Sequence, residues 1–246
     1  MANLTAVSPM RAIHPYEIEN RLKEEFFDRS PRGYFVEVGA NDAERWSQSF
    51  HLEKMGWHGV LLEPQPDLAD QLRQRRTAKV YAVACSAPEN AGTRMTLHLA
   101  GGHSSFDPRL KVASVRPSGT IDVPVTTLDE VLTETNAPTP IDFLAVDVEG
   151  HEIEVLRGFD FARWRPRLIL VEDLVLDTRL HRFMRSQGYR WIRRTDVNGW
   201  YVPADSPLRV GLFGRWQFFR KYYLGTPFRR LREVLRRLRA RIKAGA

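Results

Sequence analysis

Short apolar runs that end in glycine or a carboxylate alternate with amphipathic stretches along this chain. That alternation predicts an α/β protein built on a largely parallel sheet. Tyr16 to Asp28 carries Ile18, Leu22 and Phe26 at helical spacing, a lead-in helix closed by Pro31 and Gly33. A buried strand follows from Gly33 into a turn at Gly39. Then come a helix over Trp46 to Lys54, a strand over His58 to Glu63, a helix over Asp67 to Arg76 and a strand over Lys79 to Cys85. Strand, helix, strand in that order implies right-handed crossovers and parallel pairing. Thr93 to Leu99 and Thr120 to Thr126 alternate as strands around a Gly-, Ser- and Pro-rich stretch, Gly101 to Gly119, long enough for a lid. Thr127 and Glu130 have the spacing of a capping box, which starts a helix running to Thr135. Ile141 to Val148 and Leu168 to Glu172 read as strands on either side of a short helix, Glu152 to Leu156. His181 to Gln187 reads as a helix, and Tyr189 to Arg193 with Gly199 to Val202 as a hairpin turning at Asn198-Gly199.

Ligands of open α/β sheets bind beyond the carboxyl ends of the strands, so the polar residues after each apolar run are the candidates. They are Glu37 to Asp42, Glu63 with Pro64, Ala84 to Ser86, Asp147 to Glu152, and Glu172 with Asp173. Gly39 lets the backbone come close to a ligand, and Glu63, 24 residues on, stands where a carboxylate would hold a ribose hydroxyl pair. The turn reads Gly39-Ala40-Asn41-Asp42-Ala43 and lacks the second and third glycines of a dinucleotide fingerprint. A pyrophosphate would meet Asp42 and Glu44 there. A cationic, phosphate-free nucleoside such as S-adenosylmethionine suits an acidic turn better. A plain structural turn at Gly39 is the alternative. Glu149 and Glu152 also read as helix N-terminal acids, and His151 as a cap. Asp147 follows Leu144-Ala145-Val146 and is expected half-buried, where a carboxylate needs a partner.

Four segments resemble the FkbM-type family of S-adenosylmethionine-dependent methyltransferases. They are Phe-Val-Glu-Val-Gly-Ala-Asn-Asp at 35–42, Leu-Glu-Lys-Met-Gly-Trp-His-Gly-Val-Leu-Leu-Glu-Pro at 52–64, Thr-Leu-Asp-Glu-Val at 127–131, and Asp-Phe-Leu-Ala-Val-Asp-Val-Glu-Gly-His-Glu-Ile-Glu-Val-Leu-Arg-Gly at 142–158. Arg-Pro-Arg-Leu-Ile-Leu-Val-Glu at 165–172 extends the match, which covers roughly Gly33 to Tyr201. The resemblance implies a Rossmann-like, seven-stranded class I methyltransferase fold and, most often, O-methylation of a sugar or other hydroxyl. It places Glu37, Gly39 and Asn41 at the methionine end of the cofactor, with Ala40 beside them. Glu63 and Pro64 fall at the ribose, Ala84 under the adenine, and Asp147 toward the reacting centre. The chain departs from the family's usual pattern at Ala43, and Asn41 stands at the middle glycine of the broader methyltransferase motif.

The methyl of S-adenosylmethionine is already activated, so the enzyme must align an acceptor oxygen and remove its proton. Asp147 and His151 are the candidate bases. A divalent cation could acidify the hydroxyl instead. The pattern of some relatives would give it Asp147, Glu172 and Asp173 as ligands, an all-oxygen set suited to Mg2+.

With 43 % apolar and 27 % charged residues over 246 positions, the composition is that of a globular domain, and no stretch reaches the ~18 apolar residues of a membrane span. With no signal-peptide pattern in Met1 to Ile13, a cytoplasmic protein is expected. Cys85, the single cysteine, reads as a small buried residue. The net charge of +7 is uneven: from Gly211 onward there are 11 Lys and Arg against Glu233 alone. Three parts are expected: a helical lead-in (1–32), a methyltransferase domain (33–210) and an aromatic, basic tail (211–246). In the tail, Phe228, Leu231, Leu235, Leu238 and Ile242 recur at helical spacing after Thr226-Pro227, and aromatics from Phe213 to Tyr223 precede them. This pattern fits a helix lying on an anionic inner membrane face, near lipid-linked glycans, or one packed on its own domain. Nucleic acid is disfavoured as a partner, because the basic charge is confined to the tail. Two further readings compete with a saccharide O-methyltransferase: a nicotinamide-dependent oxidoreductase and a non-catalytic membrane-associated module.

Overall fold

The computed structural model describes residues 15–108, 118–173 and 178–225, together with Phe228 and Arg232. In chain order the elements are α1 (Pro15–Phe26), β1 (Tyr34–Val38), α2 (Phe50–Lys54), β2 (His58–Leu62), α3 (Pro66–Arg75), β3 (Lys79–Tyr81), β4 (Ala84–Cys85), β5 (Arg94–Leu99) and β6 (Gly119–Thr126). They continue with α4 (Leu128–Glu134), β7 (Phe143–Val146), α5 (Glu152–Arg157), α6 (Phe161–Trp164), β8 (Leu168–Glu172), α7 (Arg179–Ser186), β9 (Tyr189–Thr195), β10 (Asn198–Pro203) and α8 (Leu212–Phe219). A π-helical stretch, Arg220–Gly225, extends α8.

Seven strands form the main sheet in the order β3-β2-β1-β7-β8-β10-β9. Its first five pair in parallel, and β10 runs antiparallel to both neighbours. The apolar runs at 34–38, 143–146 and 168–172 are buried along almost their whole length, because helices cover both faces. On one face Val36, Val38, Leu144 and Val171 pack with Leu128, Leu156 and Trp164. On the other, Phe35, Leu61, Phe143 and Leu170 meet Phe27, Leu52, Trp57 and Leu72. Each such buried side chain contributes about 1.5–3 kcal/mol. The capping box is present: Glu130 N–H donates to Thr127 Oγ1 at 3.1 Å, and Thr127 N–H donates to Glu130 Oε2 at 3.0 Å.

Four local readings differ from the sequence expectation, each for a physical reason. The helix expected from Trp46 begins only at Phe50. Trp46 takes φ +63°, and Ser47, Gln48 and Ser49 direct their donors at the buried Glu37 carboxylate. The strand expected over 79–85 is two strands. After Tyr81 the chain leaves β2, and Ala84 and Cys85 pair with Val125 and Thr126 of β6 in a small second sheet, β4-β6-β5. The hairpin turns at Asp196-Val197, two residues early. Asn198 is buried within β10 and donates to Glu19 of α1 at 3.2 Å, whereas Asp196 takes the positive φ of +46°. Helix α6, capped by Asp160 on the amides of Ala162 and Arg163, is one short turn and leaves no periodic pattern in the sequence.

Helix α1 is tied to the sheet by buried polar groups as well as by packing. Lys23 is fully buried and donates to the Gln48 carbonyl at 2.6 Å. Burial pulls its ammonium down to about 8, against the opposing pull of Glu19 and Glu37. Cys85 is buried, as its small apolar character suggests, and burial raises its thiol pKa. Apart from Phe228 and Arg232, the amphipathic helix expected from Thr226 onward lies outside the described residues. No helix among the described residues is long and apolar enough to cross a membrane.

Candidate active site

Three strand ends meet at Gly39. Its N–H and that of Ala40 donate to the Leu62 carbonyl at 2.9 and 3.1 Å, and the Asp147 N–H donates to the Val38 carbonyl at 3.0 Å. Gly39 adopts φ +82°, and a β-carbon there would stand 1.9 Å from the Asp147 carbonyl oxygen, so only glycine fits. The chain then rises through Asn41, φ +47°, whose N–H donates to Glu63 Oε2 at 2.9 Å. Glu63 Oε1 accepts from the Gln65 N–H at 2.9 Å, at the start of α3. Burial raises the pKa of this carboxyl, and the amides of Gln65 and Asn41 oppose the rise.

A cleft of about 540 Å3, open mouth included, lies across these strand ends. Gly39, Asn41, Glu63, Pro64, Ala84 and Asp147 all line it. The remaining expected site residues lie elsewhere. Ala40 is buried in the core behind the turn. Glu37, expected at the methionine end, points to the opposite face of β1, where it accepts from Ser47 Oγ at 3.0 Å, Gln48 N–H at 2.6 Å and Ser49 Oγ. Side chains alternate along a strand, and position 37 shares the face of Phe35, away from that of Val36 and Val38. Ser47 and Ser49 in turn accept from Arg76 at 3.1 and 2.9 Å, and Arg76 pairs with Glu53 at 2.5 Å. Glu37 thus anchors a buried polar network that shapes the wall behind the cleft.

Asp147 is half-buried at the cleft edge. Burial, and then the charges of Glu149, Glu152, Glu37 and Glu19, push its carboxyl from 3.8 up to about 8. Glu172, nearby and buried, is raised by burial and by the same acidic neighbours, Asp147 first. Glu152 caps its own loop, accepting from the Gly150 N–H at 2.9 Å. Asp173 is turned away: it ion-pairs with Lys221, and its N–H donates to the Val197 carbonyl at 2.8 Å. Asp147, Glu172 and Asp173 therefore do not converge as a ligand set. Among the described residues no group of three His, Cys, Asp or Glu is placed to hold a metal ion.

His151 stands beside the cleft, its Nε2 2.9 Å from Ser86 Oγ, which also accepts from Asn90 Nδ2 at 2.9 Å. Burial lowers its pKa, which favours the neutral imidazole. Phe106 lines the cleft and packs on the His151 ring at 5.1 Å between centroids. The first part of the expected lid folds over this corner. Ser105 Oγ donates to the Glu149 carbonyl at 2.7 Å, and His103 Nδ1 is 2.7 Å from Glu149 Oε1. Asn90, Phe106 and Tyr16 had no sequence signal. Burial and then Asp147 raise the Tyr16 hydroxyl pKa, which brings the first turn of α1 up to the acidic cluster.

The sheet order, the glycine turn after β1 and the carboxylate after β2 define a Rossmann-like class I methyltransferase fold. The family model of the methyltransferase FkbM domain matches residues 37–191, and the chain belongs to that family of S-adenosylmethionine-dependent methyltransferases. That membership decides against the nicotinamide reading. Similar solved structures include the precorrin-6y C5,15-methyltransferase from Geobacter metallireducens GS-15, at 12 % identity and a TM-score of 0.41 over 80 % of this chain and 91 % of that one. Another is the human methyltransferase 10 domain containing protein, at 11 % identity and a TM-score of 0.40 over 76 % of this chain and 80 % of that one. No curated protein matches the sequence.

The cleft fits the cofactor that the family uses. Its buried Glu63, held by the Asn41 and Gln65 amides, keeps acceptor capacity toward a ribose hydroxyl, and its acidic edge at Asp147 suits a sulfonium.

Proposed function

We propose that the protein methylates a hydroxyl group of a saccharide, free or lipid-linked, with Asp147 as the base. The reading rests on one observation: Asp147 and Glu63 line the same cleft, on either side of the Gly39 turn. When bound, S-adenosylmethionine supplies an activated methyl and a positive charge. Glu63 holds the ribose, the turn from Gly39 to Asn41 meets the methionine end, and Asp147 faces the acceptor. A carboxyl poised near 8 becomes ionised beside a cation, and it can then take the hydroxyl proton as the oxygen loses it. His151, steadied by Ser86 and Asn90, offers the acceptor a second hydrogen-bonding group. Glu149, His103 and Ser104 add a polar rim, which suits a polyhydroxylated acceptor.

The test incubates the protein and its Asp147→Asn variant with methyl-labelled S-adenosylmethionine and a panel of free and lipid-linked saccharides. Label is expected on a hydroxyl oxygen, and the variant should be slower by ~10²-fold or more. Transfer to nitrogen or carbon, or full activity in the variant, would refute the reading.

A further inference from the structure

Helix α8 presents two faces, and only one of them is used inside the molecule. Gly214, Gln217, Phe218 and Lys221 face the sheet edge. A β-carbon on Gly214 would lie 2.3 Å from the Ile192 carbonyl oxygen, so the helix backbone rests directly on β9. Gln217 donates to the Arg194 carbonyl at 2.9 Å and accepts its N–H at 3.2 Å, which bonds the helix to β9 as a further strand would be. Phe218 packs on Trp191 and His181, and Lys221 is buried against Asp173. The helix is thereby held in one orientation.

The opposite stripe faces outward. Leu212 is 85 % exposed, Phe213 69 %, Trp216 52 %, Phe219 49 % and Tyr223 65 %. Phe213 and Trp216 lie nearly parallel, as do Phe219 and Tyr223, and the Arg220 guanidinium sits 4.9 Å from the Trp216 ring centre. Arg209 and Arg215 are exposed beside them, and no Asp or Glu occurs between Asp205 and Glu233. A contiguous patch of exposed rings marks an interaction surface. Rings interleaved with arginine and free of acids match a headgroup layer, where aromatic edges sit at the apolar boundary and guanidinium groups meet lipid phosphate.

We propose that the outward face of α8 and its π-helical extension, Leu212 to Tyr223, seats the protein on an anionic membrane surface. Charge selects this occupant: Arg209, Arg215 and Arg220 lie on or beside this face with no acid between Asp205 and Glu233, which complements a negative leaflet and would repel a second copy of the same face. The Lys221–Asp173 pair joins the seated helix to the carboxyl end of β8, the sheet edge that carries the cleft.

The test is sedimentation of the full-length protein with vesicles of phosphatidylcholine alone and of phosphatidylcholine with phosphatidylglycerol. Wild type should bind the anionic vesicles and fall off as salt is raised. A variant with Phe213→Ser, Trp216→Ser and Phe219→Ser should bind at least ~10-fold more weakly while keeping the wild-type melting transition. A second variant, Arg209→Gln, Arg215→Gln and Arg220→Gln, should lose the preference for anionic over neutral vesicles. The proposal fails if the serine variant binds as well as wild type or if neither vesicle is bound. It fails equally if size analysis shows a dimer that the serine substitutions dissociate.

Discussion

The N–H of Asn41 donates to Glu63 Oε2 across 2.9 Å, which locks the turn after β1 to the residue that follows β2. The two halves of the cleft are therefore one hydrogen-bonded unit, and Glu63 shapes the loop that a ligand must meet as well as the ligand's own contacts. Loss of that carboxylate should be felt at both.

Gly39 tolerates no side chain, since both its φ of +82° and the Asp147 carbonyl forbid one. Gly39→Ala should lower stability by roughly 2–5 kcal/mol, read by urea denaturation. An unchanged midpoint would mean that the β1 and β7 ends do not meet as described.

Asp147 makes stability depend on pH with a definite sign. Its folded pKa is raised from 3.8 to about 8, so between those values the native state holds a proton that the unfolded chain has lost. The contribution to stability is fully present below 3.8 and declines as pH rises through about 8. Asp147→Asn removes that decline. Its unfolding free energy should equal that of wild type near pH 4 and exceed it at pH 8 by roughly 1–3 kcal/mol after allowing for partial solvent access. Parallel curves across the range would rule out a raised carboxyl.

Glu37 is a structural anchor in this molecule, which separates its consequences from those of Glu63. Ser49→Ala removes the hydroxyl that links Glu37 to Arg76 and should cost about 1–3 kcal/mol in unfolding free energy, with S-adenosylmethionine affinity unchanged. A large loss of affinity with intact stability would return Glu37 to the cofactor.

His151 positions the acceptor in this scheme and does not take its proton. His151→Gln should raise the acceptor KM by about 10-fold, and Ser86→Ala by less, each with a smaller effect on kcat than Asp147→Asn. A kcat collapse in His151→Gln with KM intact would exchange the roles of the two residues.

Much of this was legible in the sequence because the relevant signals are local. The apolar runs at 34–38, 58–62 and 168–172, the capping box at Thr127 and Glu130, and the acid 24 residues beyond Gly39 each depend on neighbours in the chain. Strand alternation shows which positions share a face, but not which face the cleft occupies. The sequence alone therefore places Glu37 at the cleft, whereas its carboxylate is spent on Ser47, Gln48 and Ser49. Asn90 and Phe106 act on His151 through contacts between distant segments, and Asp173 is claimed by Lys221 at 48 residues' separation. Charge pairing at that range leaves no periodic trace.

The most direct measurement is calorimetric titration of wild type and Glu63→Ala with S-adenosylmethionine, with NAD as the control ligand. The account predicts saturable binding of S-adenosylmethionine by wild type, none of NAD, and loss of affinity by ~10²-fold or more in Glu63→Ala, from the lost ribose contacts and the freed Asn41 and Gln65 amides together. Equal affinity in the two proteins, or preference for NAD, would contradict it.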